Sequence, residues 1–182
     1  QVIDRYPRGM VVAHHAVQRG LLGKIGSANV EMNTYRGQAY YGPVDESGDG
    51  FLPRKWHGTW EGEGGGAVFH HGRYIIDPFL WVVGSRVEEV FAYSGPMLRT
   101  IEHDSLTQAV VKFENGATGT MLATLVSHLG GSVPGLRGRI TLLGNDAAIE
   151  IDQEYSLLEQ VYSDLVVASQ DNPRATEAIQ TL

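Results

Sequence analysis

Residues 64–77 read GGGAVFHHGRYIID, and PFLWVVG carries the stretch on to Gly84. After three glycines the apolar residues recur every three or four positions, so the spacing predicts a helix over 64–83. At about 100° per residue, with His70 taken as zero, Tyr74 lies at about 40°, Asp77 at about −20°, Trp81 at about 20° and Arg73 at about −60°. The opposite arc collects Val68, Phe69, Gly72, Ile75, Ile76, Phe79, Leu80, Val82 and Val83. That side must pack on a sheet, while an imidazole, a phenol and a carboxylate share the other at i, i+4 and i+7. Such spacing lets side chains converge on one ligand, and an ordinary solvated face shows it too. A solvated face more often carries Lys and Glu than His and Tyr. Gly64, Gly65 and Gly66 also let the backbone approach a ligand or another chain closely. Pro78 leaves the Tyr74 carbonyl without its usual donor, which predicts a bend at Asp77. His70, His71 and Asp77 offer nitrogen and oxygen donors, but His71 projects about 100° away from His70 on this wheel and no His-x-x-x-His pair is present, so no metal site is expected.

Outward from this helix, the pattern alternates helix and strand. PRGMVVAHHAVQRGLL at 7–22 predicts a first helix, with Pro7 at its start and Gly23 at its end. His14 and His15 point in different directions and read as structural or surface residues. Residues 25–37 alternate β-branched and aromatic positions as a strand does. Residues 42–62 are rich in Gly, Pro, Asp and aromatics without a period, which reads as a long loop. Within and beside that loop, Trp56, His57 and Trp60 suggest a wall for the apolar face of a sugar ring; the same Trp residues would also serve as half-buried anchors. VEEVFAYSGPM at 87–97 reads as a strand, and LTQAVVKF-ENGA-TGTMLATLV as a hairpin turning on Asn115-Gly116. A two-residue turn sets Phe113 opposite Thr118 and Val111 opposite Thr120. Phe113, Val111, Ala109 and Leu122 then share one surface, and Val110, Met121, Leu106 and Leu125 the other. Neither surface is cleanly polar, so helices are expected on one and a second subunit on the other. RITLLGNDAAIEID at 139–152 reads as a further hairpin, and Asp171-Asn172-Pro173 as a helix start.

The chain of 182 residues suffices for one domain with a sizeable core. With 21 acidic and 14 basic residues and no cluster of Lys or Arg, it lacks the positive stripe a nucleic-acid binder needs. The absence of cysteine removes disulfides, thiolate metal sites and a Cys nucleophile, leaving His, Tyr, Asp, Glu, Lys and Ser for any chemistry. The longest apolar stretch, at 75–84, falls short of the about 18 residues of a membrane span. A cytoplasmic protein without membrane or nucleic-acid partners is the expectation.

The order of helix, strand, long loop with W-x-G-T-W, Gly-rich helix start and hairpins resembles the glucose-fructose oxidoreductase and inositol 2-dehydrogenase family, Gfo/Idh/MocA. The likeness is strongest over WHGTWEGEGGGAVFHHGRYIIDPFLWVVG at 56–84, with looser phrases at 20–26, 113–121 and 140–151. It implies an α+β fold: an open, predominantly antiparallel sheet with helices packed on one face, as in the C-terminal domain of the dihydrodipicolinate-reductase-like type. It also implies that NAD or NADP is bound mainly by a Rossmann domain, whose G-x-G-x-x-G and Glu-Lys-Pro phrases do not occur in these residues. The expected layout is a helix at 1–24 leading in from an interdomain region, the sheet domain at 25–170 and a terminal helix cut short at 171–182. Gln1 and QVID likewise suggest a fragment, expected to be inactive without its nucleotide-binding domain.

The implied function is substrate binding and oligomerisation, as dimer or tetramer through the open sheet face, in an oxidoreductase of sugars or polyols. The alternatives are a non-catalytic carbohydrate-binding or assembly module, and a relative of the NAD-dependent glycosidases. In the family helix an Asp or Asn stands four residues before a catalytic His, and an Asp follows three residues later. Here those positions are His70, Tyr74 and Asp77, and only Asp77 fits. Either Tyr74 handles the proton beside a lysine from outside this chain, or His70 does so while Tyr74 hydrogen-bonds the substrate, or this branch has lost the chemistry. Asp77, Arg73, Trp56, His57 and Trp60 are the expected substrate contacts.

Overall fold

The computed structural model describes residues 7–129, 135–156, 161–168 and 173–182. The QVID start and Asp171-Asn172 lie outside the described residues.

Helix α1 (Arg8–Gln18) follows Pro7, whose φ of −53° suits the start of a helix. It ends four residues before the expected 22, because Gly20 rather than Gly23 takes the first left-handed conformation (φ 67°). Strand β1 (Ile25–Thr34) and the short helix α2 (Gln38–Tyr41) lead into the loop, which closes with helix α3 (Trp60–Glu63).

The single helix expected over 64–83 is two pieces. Ala67–Gly72 forms a π-helical turn, and α4 (Arg73–Val83) continues from it through the buried Pro78. Strands β2 (Val87–Gly95), β3 (Leu106–Phe113), β4 (Thr118–Thr124), β5 (Gly135–Gly144), β6 (Ala148–Ser156) and β7 (Val161–Ala168) follow, then helix α5 (Pro173–Gln180).

The strands form one sheet in the order β2-β3-β4-β1-β5-β6-β7. Every neighbouring pair is antiparallel except β1 with β4. Helices lie on one face, as the open α+β architecture requires. Ile75, Phe79, Val82 and Val83 of α4 are buried there with Val111, Phe113, Ile140, Ile149 and Ile151 from the strands. Phe79 meets Phe113 edge-to-face with ring centres 6.0 Å apart. α1 packs on α4 through His14, whose ring stacks on Trp81 at 3.9 Å and whose Nδ1 lies 2.9 Å from the Trp81 carbonyl. His15 is exposed.

The β3–β4 hairpin forms where expected but one residue out of register. Val111 pairs with Gly119 and Ala109 with Met121. Three residues, Glu114 to Gly116, make the turn. The Phe113 amide donates to the Ala117 carbonyl at 2.9 Å, the Gly116 amide donates back to Phe113 at 2.9 Å, and Gly116 takes φ 84°. A three-residue turn with a left-handed glycine uses the same Asn-Gly pair as a two-residue one. The slip turns all of β4 over: Met121 and Leu125 face the core, and Leu122 joins Val110 on the other side.

That other side is bare. Phe91, Tyr93 and Val110 are 63%, 67% and 55% exposed on neighbouring strands. Toward β5 and β6 the same face turns charged, with Arg137 and Arg139 both on Asp152.

Candidate functional site

Three segments meet at Glu63. α3 is capped by Thr59, whose hydroxyl accepts from the Gly62 amide, and ends at Glu63. The π-helical turn brings His70 and His71. The segment before β3 brings His103 and Asp104.

Asp104 fixes the turn: its Oδ1 accepts from the Gly66 amide at 2.9 Å, its Oδ2 from the Val68 amide at 3.0 Å and its carbonyl from the Ala67 amide at 3.0 Å. These amides would otherwise be the unpaired donors of a helix start. The approach needs a glycine, since a Cβ on Gly66 would collide with the Asp104 carbonyl and the His103 ring.

The Glu63 side chain has no exposed surface, and neither has that of His103. Glu63 Oε2 accepts from the Gly58 amide at 2.7 Å and from His103 Nε2 at 2.9 Å. His70 Nδ1 lies 2.9 Å from Oε1, but out of line for a hydrogen bond, so Oε1 is buried without a hydrogen-bond partner. Burial alone would push the Glu63 carboxyl up. His103, His70 and the Gly58 amide outweigh it and hold the group well below the usual carboxylate range. A carboxylate only accepts, which puts the His103 proton on Nε2. For His103 burial pulls the other way, and the Glu63 bond with the Asp104 carbonyl raises it above the usual value. Burial drives His71 down to about 3, so it is a neutral imidazole, and its Nε2 is buried with no hydrogen-bond partner. Tyr41, also buried, is pushed up by burial and then by the Glu63 charge.

A wall of rings stands beside this cluster. Trp56 packs on His57 at 3.8 Å and on His70 at 5.5 Å, and is 46% exposed. His57 packs in turn on Tyr40 at 4.4 Å, its Nδ1 3.3 Å from the Tyr40 hydroxyl. Trp60 meets His103 edge-on at 5.8 Å.

Of the residues expected from the sequence, the fold thus gathers Trp56, His57 and His70, with Trp60 joined through His103. Tyr74 belongs to a second group. It lies half-exposed on α4, with the Arg73 guanidinium 5.1 Å over its ring and Arg73 Nη2 donating to its hydroxyl at 3.3 Å. Asp77 lies half-buried farther along α4. A uniform wheel does not carry from His70 to Tyr74, because a π-helical turn advances by a smaller angle per residue than an α-helix. It also misplaced His71, whose ring centre lies 4.5 Å from that of His70. Glu63, His103 and Asp104 were not anticipated; an acidic residue directly before the glycine run was the one available signal.

Residues 10–150 match the sequence profile described as the GFO/IDH/MocA C-terminal domain. The chain belongs to the GFO/IDH/MocA family. Among solved structures, this family member is similar to the WlbA dehydrogenase from Bordetella pertussis in complex with NADH and UDP-GlcNAcA, at 27% identity and a TM-score of 0.67, over 82% of this chain and 41% of that one. It is similar to the WlbA dehydrogenase from Chromobacterium violaceum, with the same ligands, at 26% identity and a TM-score of 0.67, over 99% of this chain and 47% of that one. Levoglucosan dehydrogenase in complex with NADH and levoglucosan shares the fold at 18% identity and a TM-score of 0.63, over 89% of this chain and 44% of that one. This GFO/IDH/MocA chain therefore spans less than half the length of these dehydrogenases. No curated protein matches it. No helix among the described residues is long and apolar enough to cross a membrane.

Proposed function

We propose that this chain is the substrate-binding and oligomerisation part of an NAD(P)-dependent oxidoreductase acting on a hydroxyl of a sugar, polyol or related compound. The nicotinamide is held mainly by residues outside this chain, and the reading draws support from the dehydrogenases that share the fold. The observation that carries it is the division of the helical stretch into a tethered His70 and an open Tyr74. His70 is held on Glu63 beneath Trp56, and Trp56 and His57 are offered to the apolar face of a sugar ring.

Tyr74 is then the proton-handling group. Its hydroxyl would give a proton to the substrate carbonyl oxygen in reduction and its oxygen would take the alcohol proton in oxidation, while NAD(P), when bound, would supply or accept the hydride. Arg73, already donating to the Tyr74 oxygen, supports the charge left there. The bare apolar patch of Phe91, Tyr93 and Val110 is the surface for a second copy of the chain.

The direct test follows nicotinamide absorbance with NAD⁺ and NADP⁺ in turn against a panel of sugars, nucleotide sugars and polyols, using the native protein. Reduction of either nucleotide with one class of hydroxyl compound is expected. Turnover of aryl glycosides without net nicotinamide reduction would replace this reading with a glycosidase, and no turnover of either kind would replace it with a binding module.

A further inference from the structure

We propose that Glu63, His70 and His71 form a site for one divalent transition-metal ion. The inference does not depend on the dehydrogenase reading, because it rests on donor geometry and is read by binding rather than turnover.

One donor atom from each of the three residues lies within 4.8 Å of the others. Two groups in the cluster lack a hydrogen-bond partner although they are buried, Glu63 Oε1 and His71 Nε2. Buried polar atoms in folded proteins are nearly always paired, so two orphans in one small cluster point to a missing common partner. Water bridging serves such pairs where it can donate and accept. Here the groups are a carboxylate oxygen and imidazole nitrogens, the donor types a metal ion takes.

The surroundings match a metal site in a second respect. Glu63 turns its other oxygen to His103 Nε2 and the Gly58 amide, so the carboxylate is oriented from behind while Oε1 faces His70 Nδ1 at 2.9 Å. Outer partners of this kind orient ligands in metalloproteins and tune their affinity. The backbone supplies the rest. The π-helical turn brings two sequence-adjacent imidazoles to a ring separation of 4.5 Å, where the α-helical wheel put them apart. Gly66 lets that turn lie against the loop that carries His103.

Two imidazoles and a carboxylate, with no thiolate in the chain, suit Zn²⁺, Co²⁺ or Ni²⁺ better than Ca²⁺ or Mg²⁺, which prefer all-oxygen sets. Three protein ligands leave a coordination position for water, on the side where His70 is partly exposed beneath Trp56.

The test uses the native protein, stripped with a chelator, desalted and titrated with ZnCl₂ by calorimetry and with CoCl₂ by visible absorption. One ion per chain is expected, with Co²⁺ giving the visible bands of a low-coordinate site. His71→Gln and Glu63→Gln should weaken binding by roughly 100-fold or more, since losing an outer partner alone typically weakens it by about 10–100-fold. His103→Gln should fall within that smaller range, and His15→Gln, on the exposed side of α1, should bind as wild type. X-ray absorption on the zinc-loaded wild type should show two imidazoles and oxygen ligands, and does not depend on any variant folding. No saturable binding, a spectrum without two imidazoles, or wild-type affinity in a folded His71→Gln would each overturn the proposal.

Discussion

The two faces of one sheet differ in how they handle polar groups. On the helix side, Glu63 and His103 are wholly enclosed and answer each other's charge. On the bare side, Arg137, Arg139 and Asp152 form a cluster still partly in water, and beside it Phe91, Tyr93 and Val110 stand exposed. Enclosure makes a charge pair both strong and unforgiving, whereas partial exposure makes it weak and replaceable. The helix side is therefore where chemistry should reside, and the bare side where association should.

The largest effect should come from Tyr74→Phe on the helix side. In steady-state assays of the native protein, kcat should fall by roughly 10²–10⁴-fold with little change in KM, as loss of a proton-transfer group requires. Wild-type turnover would remove Tyr74 from the mechanism. Glu63→Ala should destabilise the fold by about 3 kcal/mol in urea unfolding, because His103 is left buried without its counter-charge. A loss below about 1 kcal/mol would erase the contrast between the faces.

On the bare side, Val110→Glu should leave folding intact and shift the native protein to a smaller species in light scattering. An unchanged mass would mean that this patch is not the contact between copies. The smallest effect belongs to Asp152→Asn, expected to cost less than about 1 kcal/mol at neutral pH. The Arg137 guanidinium, with Arg139, holds the Asp152 carboxyl below its usual value despite partial burial. Its contribution is therefore present above the ordinary carboxylate range and lost as pH falls through the depressed folded value. The gap between wild type and variant should close in acid; a gap that widened would contradict the ion pair.

Much of the sheet was legible because alternation and turn residues act locally. The β3–β4 and β5–β6 hairpins and the apolar side of α4 follow directly from residue pattern. The register of β4 did not, since Asn115-Gly116 serves two turn lengths and only the Gly116 conformation decides between them. The site was legible in part. Trp56, His57 and His70 do come together, but the wheel assumed one helical period where the chain changes period at Arg73. Glu63 and His103 stand 40 residues apart in sequence and meet only through the fold. No local pattern encodes that meeting.

The place of β1 has a consequence for how the molecule is made. β2–β3–β4 and β5–β6–β7 are each runs of neighbouring antiparallel strands that short connections can assemble early. Within the sheet β1 joins them, with Ser27 pairing with Thr118 on one side and Leu143 on the other. β1 precedes both of its partners in sequence and pairs with strands far along the chain, and such long-range closure is slow. Without the central strand in place, β4 and β5 would each present an open edge to any other chain that passes.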